Sequence, residues 1–421
     1  MIQHRLEINQ RAEMFLEFQK HIDFILIFSL LGLFILGLLA LYSSSHSNLE
    51  SANDTNHFMK QAIWMAIGSL LMIVIYFIPH RWIYNSAYFL YGIGIFLLII
   101  TFFIGKVGQG AERWIHIGAF SFQPSEFMKV ATILAVARYI SNEERDLNRF
   151  KYFVFAASFL VLPFVLIIRQ PDLGTSMVFV ALALPMFYWA GLSLSNLILI
   201  ISPFIIMFAS FHFSAFLIIM LLLIGYLILA RRKKSVSILV FFSNIIMGLI
   251  TPVIWNHLKP YQRNRIIIFL NPEADPKGAG YQIIQSKVAI GSGGSLGKGF
   301  MQGSQTQLRF LPEQHTDFIY AVIGEEFGFL GTFIGIILFF IFIIRGIQIA
   351  NVVHNRFNSI VVLGIVTVIF FHVSVNLGMV VGLLPVTGLP LPFISYGGSS
   401  MINNLLMVGI MLNFYRNRFE Y

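Results

Sequence analysis

Charged residues next to long apolar runs are the first candidates for chemistry in this sequence. Glu126 and Lys129 are three residues apart near the start of one such run, so a helix would carry both on one face. Arg113 precedes them in a short polar stretch. A charge inside a membrane is costly and usually marks a functional site. The alternative is a local ion pair that only stabilises the helix end.

Two carboxylates in a proline-rich turn are a second candidate. The stretch from Asn271 to Pro276 contains Glu273 and Asp275, and glycines follow it. Proline and glycine at these positions predict a rigid turn that presents both carboxylates. A turn aspartate can be structural, or it can act as a general base when a substrate hydroxyl lies beside it. The ligand spacing of an EF-hand is absent, so a calcium site is not predicted.

Three more polar candidates lie where apolar runs are interrupted. Asp172 could cap the helix that follows it or hold a basic residue in place. His315 has acidic neighbours but no second histidine nearby, which disfavours a metal site. Ser395 follows the proline-rich stretch 385–393, whose irregular backbone fits a re-entrant segment that lines a groove.

Other patterns are less specific. Residues 290–299 are rich in glycine and predict either a flexible linker or a loop whose amides bind an anion. Glu325 and Glu326 fall inside an apolar run, so at least one should face a polar interior. His372 and Asn376 are four residues apart, which favours packing hydrogen bonds between helices.

The composition identifies the elements that must position these residues. Of 421 residues, 57% are hydrophobic and 11% are charged, which predicts an all-α polytopic integral membrane protein. The absence of cysteine excludes disulfides and thiolate metal sites. The net charge of +9 fits the Lys and Arg excess that orients membrane loops, and no basic domain suggests a nucleic-acid partner.

Twelve membrane spans are predicted, at about 20 residues per crossing. Most Lys and Arg then fall on the side of the N-terminus, so both termini are predicted to be cytoplasmic. Residues 256–317 form one large extracytoplasmic loop, expected to contain short helices. The spans are placed at 24–43, 61–78, 83–104, 126–140, 152–168, 174–190, 193–210, 213–230, 236–255, 318–344, 359–383 and 398–415.

Five motifs in order resemble the SEDS family, which contains RodA and FtsW. They are the stretch from Arg113 to Lys129, Gln170 to Thr175, Asp275-Pro276 with Gly280 to Gln282, Pro312 to Phe318, and Pro390 to Ser399. The stretches 284–294 and 303–308 are more similar to RodA than to FtsW. The family has about ten spans, so the resemblance implies one membrane domain over 1–421 with an inserted helix pair at 192–232.

The resemblance also implies an activity. Such proteins are peptidoglycan glycosyltransferases of the bacterial inner membrane that polymerise lipid II into β-1,4-linked strands for cell elongation and rod shape, with the active site on the outer side. The implied catalytic residue is Asp275. The implied substrate-binding residues are Arg113, Glu126, Lys129, Asp172, Lys287, His315 and Ser395.

Cofactors and partners are implied in the same way. No metal ligand is assigned, although a divalent cation such as Mg or Mn would also stabilise a departing pyrophosphate. The implied partners are lipid II, a class B penicillin-binding protein transpeptidase and other membrane proteins of the elongation complex, and no nucleic acid is implied.

Two other functions compete with the transferase. A lipid II flippase would also use many spans and intramembrane charges. Transport requires polar residues along the full depth of the membrane, whereas most of these candidates cluster towards one side. A scaffold that recruits wall enzymes without chemistry is the third possibility, and the intact Asp275 motif argues against it.

Overall fold

The computed structural model describes residues 22–46, 57–104, 106–108, 111–117, 120–230, 234–258, 263–264, 267–269, 271–275, 278 and 280–419. Three features of the sequence prediction lie outside these residues: the N-terminal segment up to residue 21, the basic residues 231–233, and Pro276 with Lys277. Eight other positions of the 256–317 loop also lie outside, so the loop is described in pieces.

Helices coincide with all twelve predicted spans in the described part of the chain. In chain order they are α1 (Phe24–Ser45), α2 (His57–Phe77), α3 (His80–Ile104), α4 (Pro124–Ile140), α5 (Phe150–Arg169), α6 (Leu173–Trp189), α7 (Leu194–Ala209), α8 (Phe213–Leu229), α9 (Lys234–His257), α12 (Ile319–Val352), α13 (Arg356–Val380) and α14 (Gly398–Arg416). The predicted short helices of the 256–317 loop are also present, namely a 3₁₀ turn (Pro272–Ala274), α10 (Tyr281–Gly293) and α11 (Ser304–Gln307).

The outer surface of the bundle is apolar. Seven of the described helices are long and apolar enough to cross a membrane, and α6, α7 and α8 are shorter apolar helices. Large side chains face outward, with Phe103 and Leu229 both 83% exposed. Such a surface would be unstable in water and is suited to lipid. The protein is therefore an all-α polytopic membrane protein, as predicted.

Helices α4, α13 and α14 form the centre of the bundle. Nearly every residue of α4 and α13 is buried. Glycines allow close packing at the periphery of this centre: Gly68 of α2 lies against Leu405 of α14, and Gly409 of α14 lies against Met72. The functional candidates of α4 and α13 are consequently in the interior and not on the lipid-facing surface.

Helices α7, α8 and α9 pack mainly on one another. Their shared apolar cluster includes Leu199, Ile206, Met220 and Leu223, and it is separate from the main core. The predicted inserted pair, 192–232, corresponds to α7 and α8 within this peripheral group. Whether this pair is an insertion relative to the family remains a prediction.

A small antiparallel sheet was missed by the sequence analysis. Strands β1 (Lys106–Gly108), β2 (Ala111–Ile117) and β3 (Phe120–Phe122) pair in the order β1-β2-β3. Strands β1 and β3 have only three residues each, too few to show an alternation of polar and apolar residues. The sheet connects α3 to α4 and carries Arg113.

Helix α12 is interrupted at Gly328, and the glycine-rich loop fills the interruption. Gly328 has φ +64° and ψ −157°. The N–H groups of Lys298 and Gly299 donate to the carbonyls of Glu325 and Glu326, at 3.0 and 3.1 Å. The N–H groups of Phe329 and Leu330 donate to loop carbonyls at residues 294 and 295. Neither reading of this loop was right: it is neither a free linker nor an anion cradle, because its amides complete the broken helix.

Both glutamates at this break face a polar interior, which confirms and extends the prediction. Glu325 accepts hydrogen bonds from the Lys298 ammonium at 2.8 Å and from the backbone N–H groups of Gln305 and Thr306 at 2.9 and 3.0 Å. Glu326 accepts from the hydroxyl of Ser43 on α1. The carboxylates thereby attach the loop and α1 to α12.

The contact between the glycine-rich loop and α12 predicts that one added methyl group at Gly297 lowers the stability of the folded protein strongly. Gly297 has φ +82°, and a Cβ there would lie 2.0 Å from the Glu326 carbonyl oxygen. The positive φ alone costs an alanine about 1–2 kcal/mol, so Gly297→Ala should lower the thermal unfolding midpoint of the detergent-purified protein. Gly291→Ala is the matched control, because a Cβ there meets nothing within 4 Å and alanine favours its helix. Equal midpoints for both variants would contradict the proposed loop contact.

Candidate functional site

Most of the candidate residues lie where several connecting segments meet at one end of the bundle. Residues 381–397, here called the central segment, join α13 to α14 without helical structure, and Leu389, Leu391, Phe393 and Ile394 within it are at most 2% exposed. A buried irregular backbone needs partners for its polar groups. The Asn376 amide supplies one by donating to the Leu389 carbonyl at 2.9 Å.

Glu126, Lys129 and His372 form a buried polar cluster. The Lys129 ammonium, with 0% exposure, lies 2.8 Å from Glu126 Oε1 and 3.2 Å from His372 Nε2. His372 Nδ1 lies 3.2 Å from the Pro390 carbonyl oxygen, which connects the cluster to the central segment. Glu126 Oε2 has no hydrogen-bond partner. The ion pair is therefore part of a tertiary cluster and does more than stabilise the end of α4.

The start of α4 differs slightly from the prediction. The helix begins with Pro124 as its first residue, and Gln123 is the N-cap residue. The side-chain amide of Gln123 lies 3.5 Å from Asp172 Oδ2, and its backbone N–H lies 3.4 Å from the Ser399 hydroxyl. Gln123 thus connects α4 to the start of α6 and of α14, a role that the sequence analysis missed.

Asp172 performs both roles that the sequence left open. Its carboxylate caps α6 by accepting from the Thr175 N–H at 3.1 Å and from the Thr175 hydroxyl at 3.0 Å. The same carboxylate lies 3.9 Å from the Arg113 guanidinium. Arg113 also donates to the carbonyls of Gln170 and Pro171. Since the Arg113 side chain is still 33% exposed, part of its guanidinium is available to a ligand.

Ser395 is buried and holds two segments together. Its hydroxyl donates to the Thr316 carbonyl at 2.6 Å and accepts from the Leu391 N–H at 2.8 Å. Its carbonyl accepts from the Gln61 amide of α2, whose oxygen accepts from the Gly397 N–H. Ser395 therefore joins the central segment to the segment that contains Thr316 and to α2.

His315 stacks on a second histidine. Its ring centroid lies 4.2 Å from that of His57, and the Tyr396 ring packs against both. Burial lowers the pKa of His315, the nearby Glu313 carboxylate raises it, and Arg309 lowers it. Burial is the largest of these effects, so the neutral imidazole is favoured in the folded protein.

This pKa direction predicts a loss of stability in acid. An unfolded histidine gains its proton as the pH falls through about 6.5, whereas folded His315 resists protonation, so the free energy of unfolding should fall as the pH drops below that value. His315→Gln should reduce the dependence of the unfolding midpoint on pH between pH 8 and 5. An unchanged pH dependence in this variant would show that His315 does not contribute to it.

Asp275 lies on the surface, in a turn that its own carboxylate organises. Asp275 Oδ1 accepts from the Gly278 N–H at 3.0 Å. A Cβ on Gly280 would lie 2.2 Å from the Pro272 carbonyl oxygen, so the turn is tight. The turn leads directly into α10, whose Ser286 hydroxyl donates to the Val380 carbonyl at 2.7 Å. This contact attaches α10, which follows the Asp275 turn, to the end of α13.

Lys287 is exposed on the same helix and reaches the central segment. The space beside Gly382 is occupied by the Lys287 Cε and Nζ atoms. Helix α10 therefore carries both the Asp275 turn and a basic side chain to this end of the bundle. Among the described residues, no group of three His, Asp or Glu side chains could hold a metal ion.

The sequence analysis interpreted His372 and Asn376 as residues that make packing hydrogen bonds, and their contacts agree with this. His372 of α13 contacts the Lys129 ammonium of α4, and Asn376 donates to the Asp317 and Leu389 carbonyls. Their four-residue spacing on a helix was a usable signal, but nothing in the sequence identified their partners.

The comparisons with known proteins identify the family. A family model described as FTSW_RODA_SPOVE, cell cycle protein, matches residues 24–222 and 212–420. The chain belongs to this family. Its members include the peptidoglycan glycosyltransferase MrdB of Escherichia coli K12, which is 36% identical over 94% of each chain. The peptidoglycan glycosyltransferase RodA of Treponema pallidum is 34% identical over 93% of this chain and 96% of its own.

One further relative and two solved structures are also similar to this chain. Stage V sporulation protein E of Bacillus subtilis is 35% identical over 94% of this chain and 97% of its own. A chain in a structure of a peptidoglycan synthase complex superposes with a TM-score of 0.72 at 28% identity and covers 95% of this chain and 99% of its own. The crystal structure of Thermus thermophilus RodA, at 24% identity and a TM-score of 0.63, shares the FtsW/RodA/SpoVE fold over 95% of this chain and 98% of its own.

Proposed function

We propose that this protein is a peptidoglycan glycosyltransferase that polymerises lipid II into β-1,4-linked glycan strands, with Asp275 as the catalytic carboxylate. The observation that carries the proposal is the exposed Asp275, whose carboxylate accepts from the Gly278 N–H in a tight turn, in a chain that belongs to the FtsW/RodA/SpoVE family. Relatives that are 34–36% identical over nearly the whole chain are named peptidoglycan glycosyltransferases.

The proposed reaction is a single displacement at the anomeric carbon of one substrate. The 4-hydroxyl oxygen of the acceptor sugar bonds to that carbon, and the bond from the carbon to the pyrophosphate oxygen breaks. The undecaprenyl pyrophosphate leaves with the electron pair, and inversion gives the β link. The acceptor proton passes to the Asp275 carboxylate, which acts as the general base. Its exposure allows a sugar hydroxyl to approach.

Basic side chains would stabilise the departing pyrophosphate. Arg113 and Lys287 are accessible and could contact the phosphate oxygens directly. Lys129 is fully buried and paired with Glu126, so its role is to position the central segment and to contribute to the local field. Asp172, His315 and Ser395 would hold these groups and the adjoining segments in place.

The site would lie on the outer side of the bacterial inner membrane. The charge distribution predicts that both termini are cytoplasmic, and in that orientation the Asp275 turn and the central segment would be outside. Lipid II would then reach the site laterally, with its lipid tail between helices. In this arrangement residues 256–317 are the large outer loop, and α7 with α8 forms the inserted pair within a single membrane domain.

The proposed partner is a class B penicillin-binding protein transpeptidase. A structural relative of this chain comes from a complex whose subject is the coordination of polymerisation and crosslinking. A glycan polymerase gains from such a partner, because new strands must be crosslinked as they form. With other elongation-complex membrane proteins, the pair would act in cell elongation and rod shape.

Polymerisation of lipid II by the purified full-length protein, with its cognate transpeptidase, tests the proposal. We expect glycan strands longer than the disaccharide, resolved by gel electrophoresis, and none from a mock preparation. In parallel, the protein would be reconstituted in liposomes with fluorescent lipid II, and crossing of the bilayer would be followed. Crossing without polymer would favour the flippase and reject the transferase, and neither activity would favour a scaffold.

A further inference from the structure

A cavity lies at the opposite end of the bundle from the candidate site. Its volume is about 460 Å³, within the range of small-ligand pockets. It is bounded by the start of α3, the end of α4 and the start of α13. The same three helices carry or adjoin the candidate site at their other ends. The cavity lining comprises His80, Arg81, Tyr84, Asn85, Ser141, Asn355, Arg356, Phe357 and Asn358.

The lining is basic and polar. It contains Arg81, Arg356 and His80 but no Asp or Glu among the described residues that form it. The starts of α3 and α13 also meet there, and helix N-termini carry partial positive charge. Both helices are long, at 25 residues each. These features together favour an anion.

A buried polar group in the lining lacks a partner. Asn358 is 2% exposed, and its side-chain oxygen makes no hydrogen bond. A buried amide without a partner is costly, so a ligand that provides a hydrogen bond would stabilise this position. The amide can turn to present either its NH₂ group as a donor or its oxygen as an acceptor. A phosphate oxygen would accept from the NH₂ group, and a hydroxyl group on the same ligand would donate to the oxygen.

The walls of the cavity are held open by contacts outside it. Arg138 donates to the Asn85 carbonyl at 2.9 Å, and its guanidinium lies 4.6 and 4.5 Å from the ring centroids of Tyr84 and Tyr88. Arg356 donates to the Ala190 carbonyl at 2.7 Å, which uses part of its guanidinium and leaves further donors. Arg356 is thus positioned without a ligand.

We propose that this basic cavity binds a phosphate-bearing ligand, the phosphodiester of a glycerophospholipid headgroup or a soluble phosphate compound. Arg81 and Arg356 bind the phosphate oxygens, and the helix N-termini add to the attraction. The volume suits a headgroup or a small phosphate and not a folded protein segment. The inference is independent of the glycosyltransferase proposal, because it concerns the other end of the bundle.

Binding to the full-length detergent-purified protein tests this inference without measuring polymerisation. Phosphatidylglycerol would be titrated in mixed micelles and bound lipid counted by native mass spectrometry. Saturable binding is expected, weakened at least about tenfold by Arg81→Gln and by Arg356→Gln. Arg81 is exposed, so its variant should fold even if Arg356→Gln does not. Lys151→Gln removes an exposed charge outside the cavity lining and should bind like the wild type.

Competition with inorganic phosphate separates the two sources of the ligand. If phosphate at millimolar concentration displaces the lipid, or binds in its place with the same dependence on Arg81, the site takes a soluble phosphate compound. If it does not displace the lipid, the headgroup is the ligand. Equal weakening in Lys151→Gln would show general electrostatic attraction and overturn the proposal, as would the absence of saturable binding by either probe.

Discussion

Asp275→Asn should lower the rate of lipid II polymerisation at least about 100-fold, while the protein remains folded. General-base catalysis contributes about 10²–10⁴-fold, and an amide cannot accept the acceptor-sugar proton. The asparagine oxygen can still accept from the Gly278 N–H, so the turn should persist. The measurement is the initial rate of glycan formation, together with the unfolding midpoint of each protein.

Glu273→Gln is the matched control. Glu273 is an exposed carboxylate two residues away in the same turn, so the substitution removes the same charge without removing the proposed base. We expect its rate to stay within about twofold of the wild type, since a surface charge outside the reaction has a small effect. If both variants lose activity equally, the charge of the turn matters and Asp275 is not the base. Full activity in Asp275→Asn would remove Asp275 from the mechanism.

Lys129→Met should destabilise the folded protein strongly. The substitution leaves the Glu126 carboxylate, 3% exposed, without its cation, and breaking a buried ion pair in this way costs about 3–5 kcal/mol. The unpartnered Glu126 Oε2 atom makes the loss harder to compensate. We expect the unfolding midpoint in detergent to fall by several degrees and polymerisation to fall with it.

Two further variants distinguish the loss of the buried ion pair from a general loss of packing. Glu126→Gln combined with Lys129→Met leaves no buried charge in the pair and should recover most of the lost stability, because a neutral pair needs no counter-charge. Arg149→Met breaks an exposed pair with Asp146 and should cost less than about 1 kcal/mol. Should the double variant be as unstable as Lys129→Met, the lost stability would come from packing and not from the unpaired charge. If the double variant recovers stability but not activity, the charges of Glu126 and Lys129 are required for polymerisation.

Much of the candidate site could be predicted from the sequence. The spacing of Glu126 and Lys129 placed them on one helix face, and they form an ion pair at 2.8 Å. The position of Asp172 before an apolar run predicted a helix cap, and its carboxylate does cap α6. These interactions join residues three apart, so the local geometry of one helix is sufficient to predict them.

Hydrogen-bond partners that are distant in the chain could not be predicted in this way. The contacts of Lys129 with His372 and of Ser395 with Thr316 join segments separated by 243 and 79 residues. The glycine-rich stretch 290–299 gave two wrong readings, because its composition does not reveal that a broken helix at Gly328 lies beside it. The pairing of β2 with β1 and with β3 was missed for a different reason, because β1 and β3 have only three residues each.

The sequence by itself determined the class of the protein, the positions of the twelve helices that coincide with the predicted spans, and the residues worth testing. Hydrophobicity and charge can be read directly from the residues, and only apolar runs of sufficient length can cross the hydrocarbon core of a bilayer as helices. The tertiary structure decided which of those residues meet: it buried Lys129 between Glu126 and His372, and it left Asp275 exposed. These outcomes depend on how α4, α10 and α13 pack around the central segment, and helix packing is a collective property that no single segment encodes.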